Sequence, residues 1–263
     1  MAYTGRVHPD PHLHRVLLAA SRVTLREPVR GYEMGQDGRL PFSGFARYFE
    51  HMRWELGRRG YSEDPNMPRR GVVRAQTHRY LGSLRFPGEW TGRTHLIHVG
   101  GSSLHYGHDI TREDGVVVVQ ARTVVVLLDA TSRPAAAPTY MKEYADPTFE
   151  APAPLLVEAP VWNSLPAYTV PVRFSDQDSF GHVNQARYVD FVDDARRAAG
   201  LAPLRGLTLA YERETLAGDV LTLELSAASP SNDGQRHAFR MLRAHDGVVV
   251  NQGVIEVGPE SAP

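Results

Sequence analysis

The chain contains no cysteine among its 263 residues. Disulfides, thiolate nucleophiles and cysteine-based zinc or iron–sulfur sites are therefore excluded. Net charge is almost absent as well, with 29 basic against 30 acidic side chains leaving −1. That balance argues against binding nucleic acid by bulk phosphate neutralisation. No run approaches the ~18 apolar residues of a membrane span. The first twenty residues carry Pro9, Asp10, Pro11 and three histidines ahead of Val16-Leu17-Leu18-Ala19-Ala20, which is not the pattern of a secretory signal. A cytoplasmic location is the expectation. Lysine occurs once, at Lys142, and every other basic residue is arginine. The G-x-S-x-G elbow, the P-loop and the G-x-G-x-x-G fingerprint are all missing.

What is present is internal repetition. Ala46-Arg47-Tyr48 recurs as Ala186-Arg187-Tyr188, and Asp114-Gly115-Val116-Val117-Val118 recurs as Asp246-Gly247-Val248-Val249-Val250, with Gln120 and Gln252 keeping the second offset. Two matches in the same order at offsets of 140 and 132 indicate duplicated halves. Extra residues are expected after the first helix, around Tyr61 to Gly71.

Local patterns agree. Phe45, Phe49, Met52 and Leu56 form one helical face, and Tyr188, Val192, Ala195 and Ala199 form another that Gly200 closes. The spacing predicts helices near 42–58 and 183–199. After each helix the period becomes that of strands: Leu207, Leu209 and Tyr211 alternate with polar or small residues, as do Leu221, Leu223 and Leu225. Val116 to Leu128 reads as a central strand, and both Asp-Gly pairs as hairpin turns. Each half is then one long helix covered by an antiparallel sheet, an α+β architecture. Seven prolines between Thr131 and Pro166 mark a semi-rigid linker. The expected organisation is an extension over 1–21, a first unit over 22–130, the linker over 131–166, a second unit over 167–258 and a tail over 259–263.

Histidines 95, 98, 105 and 108 suggest metal ligation at first sight. Residues three apart on a strand face opposite ways, however, so these four read as half-exposed strand residues and no metal is expected. The stretch Arg173 to Asn184 is different. It places Asp176, Asp178, His182 and Asn184 within nine residues ahead of a helix N-terminus. There, unpaired backbone N–H groups can stabilise a developing oxyanion while a carboxylate and an imidazole handle protons. At the offset of 140 the first half offers Gly38, Phe42 and Gly44 instead, so the fold does not require the polar set.

D-x-D-x-x-G-H-V-N-x-A-x-Y, from Asp176 to Tyr188, resembles the signature of hotdog-fold thioesterases. Two such halves in one chain resemble the double-hotdog acyl-ACP thioesterase family over roughly residues 22 to 258. Tyr32-Glu33-Met34-Gly35-Gln36-Asp37-Gly38-Arg39-Leu40 is similar to that family's non-catalytic first repeat. The resemblance implies a tandem double hotdog. It also implies an active-site aspartate at Asp178, a histidine at His182 and a glutamate at Glu214, the last having Leu84 as its first-half counterpart. The plant-type asparagine two residues before the histidine is replaced by Phe180, and the second asparagine of H-V-N-N by Gln185.

The reading is a hydrolase of fatty-acyl or related acyl thioesters carried on ACP or CoA, with no cofactor. Asp178, His182, Glu214 and Asn184 are the catalytic candidates. Gly181, Val183 and Phe180 are expected to contact substrate, with the thioester oxygen against backbone N–H groups of residues 181–184. Asp178, Glu214 and Asp176 are candidates to converge. Phe45, Phe49 and Trp54 are candidate tunnel lining. Ten arginines between 39 and 85, among them Arg58, Arg59, Arg69 and Arg70, would suit an acidic carrier or CoA phosphates. A monomeric pseudo-dimer or a homodimer is expected, with neither nucleic acid nor a membrane span as partner. The rivals are a hotdog dehydratase or hydratase and a non-catalytic acyl-thioester-binding module.

Overall fold

A computed structural model describes residues 15, 18, 21–58, 67–68, 70–162, 165–232 and 234–259. Most of the 1–21 extension, most of the expected insertion at 61–71, Arg59, Arg69 and the last residues of the tail lie outside this set.

The first half contains β1 (Arg22–Pro28), α1 (Phe42–Leu56), β2 (Arg70–Tyr80), β3 (Glu89–Val99), β4 (Ser103–Arg112) and β5 (Val117–Leu128). The second contains β6 (Tyr168–Pro171), α2 (Gln185–Ala198), β7 (Leu204–Tyr211), β8 (Val220–Leu225), β9 (Ser229–Ser231), β10 (Gly234–Arg243) and β11 (Val249–Val257). Both expected helices and both hairpins are present. The strands form one antiparallel sheet in the order β1-β3-β4-β5-β2-β7-β11-β10-β8-β6, with β9 on β10. Read outward from its centre, that order is the same path in each half. The halves meet edge to edge where β2 pairs with β7, from Ala75↔Ala210 to Arg79↔Gly206, so each protects the other's inner edge.

The helices lie side by side against the sheet. Phe45, Phe49, Met52 and Leu56 are buried from α1, and Tyr188, Val192 and Ala195 from α2, the faces read from the sequence. Asn184 caps α2 by accepting the Ala186 N–H at 2.9 Å. Gly200, at φ +67°, ends it. Leu207, Leu209, Leu221, Leu223 and Leu225 all point inward. The proline-rich segment is ordered where described. It buries Met141 in a short 3-10 turn, and its Leu155 N–H donates to Thr208 Oγ1 at 2.9 Å.

The histidine stretch departs from expectation at one position. His108 is fully buried rather than half-exposed, because both ring nitrogens are satisfied, by Thr94 at 2.8 Å and Thr123 at 3.1 Å. Hydrogen bonding to both nitrogens removes most of the cost of burying a neutral imidazole. His98 faces His105 across a β-bulge, and His95 bonds Asp146. Among the described residues no three His, Asp or Glu side chains group around a metal position.

Candidate active site

The loop between β6 and α2 is built from its backbone outward. Buried Asp176 accepts the Arg173 N–H at 2.8 Å and the Arg187 Nε–H at 2.9 Å, anchoring the loop to the first turn of α2. Its carboxylate, a candidate to converge with Asp178 and Glu214, is engaged in that anchor. Beyond it the chain folds back on itself. The Asp178 N–H donates to the His182 carbonyl at 2.9 Å, and the Gly181 N–H to the Asp178 carbonyl at 3.0 Å. Gly181 sits at φ +80°, where a side chain would be strained. Asp178 Oδ1 accepts the Phe180 N–H at 2.9 Å, and the Phe180 ring is 67% exposed at the tip.

The segment after β7 closes the site. Val183, buried, donates its N–H to the Thr215 carbonyl at 3.1 Å. This brings His182 against Glu214, with Nε2 and Oε2 2.7 Å apart. Both side chains are substantially exposed, and such a surface pair contributes only ~0–1 kcal/mol to stability. The fold does not depend on it. The neighbouring acid, Glu212, is bound to Arg74 at 2.6 Å, which holds its carboxyl below the usual range. Glu212 is thus occupied, while Glu214 faces the imidazole.

Two expectations change here. Of the backbone donors at 181–184, those of Gly181, Val183 and Asn184 are already bonded, to the Asp178, Thr215 and Asp176 carbonyls. The His182 amide alone of these four lacks a partner among the described residues. Asn184 spends its oxygen on the helix cap and directs Nδ2 to Glu50 of α1 at 3.1 Å. Its contact is a tie between halves. Glu50 was not legible in the sequence, since a lone acid on a helix carries no motif. Under the loop, Gln185 accepts from Gln76 of the first half, and Tyr211 donates to the Gln185 carbonyl at 3.1 Å.

The first half repeats this backbone at a different register from the one expected. The Gly35 N–H donates to the Arg39 carbonyl, the Gly38 N–H to the Gly35 carbonyl and the Leu40 N–H to the Leu84 carbonyl. These match the Asp178, Gly181 and Val183 bonds. Gly38, at φ +71°, matches Gly181. Leu81 and Gly82 both donate to Val118, as Glu212 and Arg213 both donate to Val250. The counterparts of Asp178, His182, Asn184 and Glu214 are therefore Gly35, Arg39, Pro41 and Ser83, not Gly38, Phe42, Gly44 and Leu84. The functional asymmetry stands, because no carboxylate or imidazole occupies the corrected positions.

Among the described residues four arginines of this run are engaged at separate places. Arg58 pairs with Glu55, Arg70 with Ser132, Arg74 with Glu212, and Arg53 reaches Thr123 under the sheet. Of the aromatic candidates, Phe45 lines a cavity, Phe49 packs on His78 and His108, and Trp54 is exposed.

Residues 165–256 match the family model described as acyl-ACP thioesterase C-terminal domain, and residues 36–151 the thioesterase-like superfamily. By sequence, no curated protein matches the chain. Among solved structures, the chain is similar to an acyl-ACP thioesterase from Bacteroides thetaiotaomicron (17% identity, TM-score 0.73, 90% of this chain and 98% of that one). It is also similar to a putative oleoyl thioesterase from Lactobacillus plantarum (17%, 0.74, 93% and 100%) and to the 12:0-ACP thioesterase from Umbellularia californica (16%, 0.68, 89% and 93%). These likenesses establish the fold. Each half therefore matches a thioesterase family model of its own, the second half that of the acyl-ACP thioesterase C-terminal domain and the first that of the thioesterase-like superfamily. The chain is an acyl-thioester hydrolase.

Proposed function

We propose that the protein is a tandem double hotdog whose second half alone carries the chemistry, and that it releases acyl chains from an acyl carrier protein. The observation that supports this most directly is the 2.7 Å His182–Glu214 pair, mounted on a loop whose first-half duplicate has arginine and serine in those places. A scaffold that kept the backbone in both halves but the acid–base set in one has separated folding from function.

In the proposed reaction the thioester carbonyl lies at the Asp178–His182 turn, with the His182 N–H directed at its oxygen. Asp178 takes a proton from water as the water oxygen bonds to the carbonyl carbon. The tetrahedral oxyanion then collapses, the C–S bond breaks, and the departing sulfur receives the proton that Asp178 took from water, which returns the carboxylate to its starting state. Glu214 fixes the His182 imidazole so that its ring orients water and substrate. Phe180 and Val183 bound the entry, and the acyl chain runs between helix and sheet. The carrier assignment rests on the match of residues 165–256 to the acyl-ACP thioesterase C-terminal domain. A monomer in the cytoplasm is the assembly proposed. Among the described residues no helix is long and apolar enough to cross a membrane.

Thiol release measured across acyl-CoA and acyl-ACP panels tests the assignment. The expected result is a higher kcat/KM on carrier-bound chains. Equal or better turnover of CoA esters overturns the carrier preference. A single turnover in ¹⁸O-water detects an Asp178 anhydride opened at its aspartyl carbon, which would leave label in the protein; direct hydrolysis puts label only in the released acid.

A further inference from the structure

The first-half duplicate of the catalytic loop borders a cavity of about 940 Å³, to which α2 contributes Arg196. By the helix register that matches Phe45 with Tyr188, Arg196 stands for Arg53 of α1. The duplication therefore sets Arg53, and Glu50 one turn before it, beside the catalytic loop itself. The Asn184 Nδ2–H bond to Glu50 at 3.1 Å agrees with that placement. From there a layer of polar side chains runs inward between α1 and the sheet. Arg53 donates to Thr123 at 3.3 Å and lies close enough to His78 and His108 for its charge to act on both. Towards the second half the layer continues through Gln76, which donates to Gln185, and the Tyr211 hydroxyl, 3.3 Å from Gln76 Oε1.

Three features set this layer apart from ordinary core. The fold does not require it, since buried Leu209, Phe239 and Ile255 stand in the second half where His78, His108 and Thr123 stand in the first. It is not sealed, because Glu50, Arg53, Asn184, Gln185 and Tyr211 all keep accessible surface. It also holds hydrogen-bonding capacity in excess. His78 is 1% exposed and spends Nδ1 on the Tyr80 hydroxyl, while its Nε2 has no partner among the described residues. The buried Gln185 Nε2 has none either. Unpaired buried groups of this kind oppose folding, and their retention points to a ligand that supplies the missing partner. Glu50 offsets the Arg53 charge, and burial keeps His78 neutral. A carboxylate-ended chain would meet no surplus cation here, whereas neutral hydroxyl and keto oxygens suit the layer.

We infer that this layer selects acyl chains bearing hydroxyl or keto oxygens, which hydrogen-bond to His78 Nε2 and Gln185 Nε2 while the thioester lies at the Asp178–His182 turn. The inference rests on the thioesterase reading and deepens it by naming the substrate class. A plain hydrocarbon in the same place would leave both nitrogens unpaired and cut off from water. Sites built to bond a substrate oxygen discriminate strongly against the analogue that lacks it.

Thiol release by the full chain tests it, with octanoyl thioesters either plain or carrying one hydroxyl or keto group at C3, C5 or C7, on CoA and on an acyl carrier protein. The wild type should show a kcat/KM for at least one oxygenated ester ~10-fold or more above that of the plain ester. His78→Leu, which installs the residue of the matching position 209, should bring that ratio to within ~2-fold. Gln185→Met, at a partly exposed position, should lower it at least ~3-fold, and it keeps the test decisive if His78→Leu folds poorly. Equal or better turnover of the plain ester by the wild type overturns the inference and leaves the hydrolase intact. A preference that both substitutions leave unchanged also overturns it. If no ester releases thiol, calorimetric titration with the matching non-hydrolysable CoA thioethers decides. Tighter binding of the oxygenated forms, lost in the variants, supports the layer and removes the hydrolase reading, whereas equal binding of plain and oxygenated forms overturns the layer.

Discussion

The two halves share a backbone and have exchanged chemistries between core and site. In the second half the site is acid–base, and three of its core strand positions are apolar: Leu209, Phe239 and Ile255 are all buried. In the first half the strand positions matching those three hold His78, His108 and Thr123, also buried, with Thr94 bonded to His108 and Arg53 to Thr123. Its site has arginine where the other has histidine. The difference teaches that this scaffold tolerates polarity on either side of the helix, with both ring nitrogens of His108 bonded and His78 held through Nδ1 by the Tyr80 hydroxyl. Catalytic potential then depends on a handful of loop residues and not on the sheet.

The sharpest break of that comparison is Asp178→Asn. The side chain is nearly isosteric and can still accept the Phe180 N–H, so the loop should hold. Loss of the general base is expected to cost ~10²–10⁴ in turnover, read as thiol release with an unchanged thermal midpoint. Wild-type turnover in this variant would remove Asp178 from the chemistry. Next in size, Glu214→Gln should lower kcat ~10-fold or more by freeing the His182 ring, while stability shifts by less than ~1 kcal/mol because the pair is exposed. If KM rises instead and kcat holds, Glu214 binds substrate rather than positioning the imidazole.

How much of this was legible follows from where the information is local. Both helices, both Asp-Gly turns and the inward faces of β7 and β8 were read correctly because periodicity and turn chemistry act over a few residues. The duplication was legible too, yet its register in the loop was three residues off. The Ala-Arg-Tyr triplets are identical letters at non-equivalent helix positions: Tyr48 matches Phe191 in the buried sets, and Phe45 matches Tyr188. The apolar faces already implied the offset that the loop hydrogen bonds follow. The burial of His108 could not be read, since its partners Thr94 and Thr123 come from neighbouring strands. The engagement of the 181–184 amides depended on Thr215 and Asp176 carbonyls, and no spacing rule locates those.

A smaller effect sharpens the contrast between cores. Burial, and secondarily the Arg53 cation, lowers the His78 pKa to about 3, and the same causes hold His108 well below its ordinary value. In the unfolded chain both would take up a proton near ~6.5. Between there and pH 3 the unfolded state binds more protons, so stability is complete above ~6.5 and falls as the pH drops. His78→Leu, which installs the residue found at the matching position 209, should flatten the decline of the thermal midpoint between pH 7 and pH 4.5 relative to wild type. An unchanged slope would mean that His78 does not carry this linkage.

The smallest effect is expected where the halves are forced to look alike. Ser83→Glu with Arg39→His rebuilds a histidine–glutamate pair in the first half on a backbone that already makes the matching turn. No second hydrolytic site should result. Gly35 still supplies no carboxylate at the base position, and the Arg85, Arg112, Arg196, Arg197 and Arg205 cations would remain around the cavity. Thiol release should stay within ~2-fold of wild type, and combining the double substitution with Asp178→Asn should not restore it. Recovery of turnover in that triple variant would show that the imidazole–carboxylate pair suffices without the aspartate, and Asp178 would then lose its place as the base.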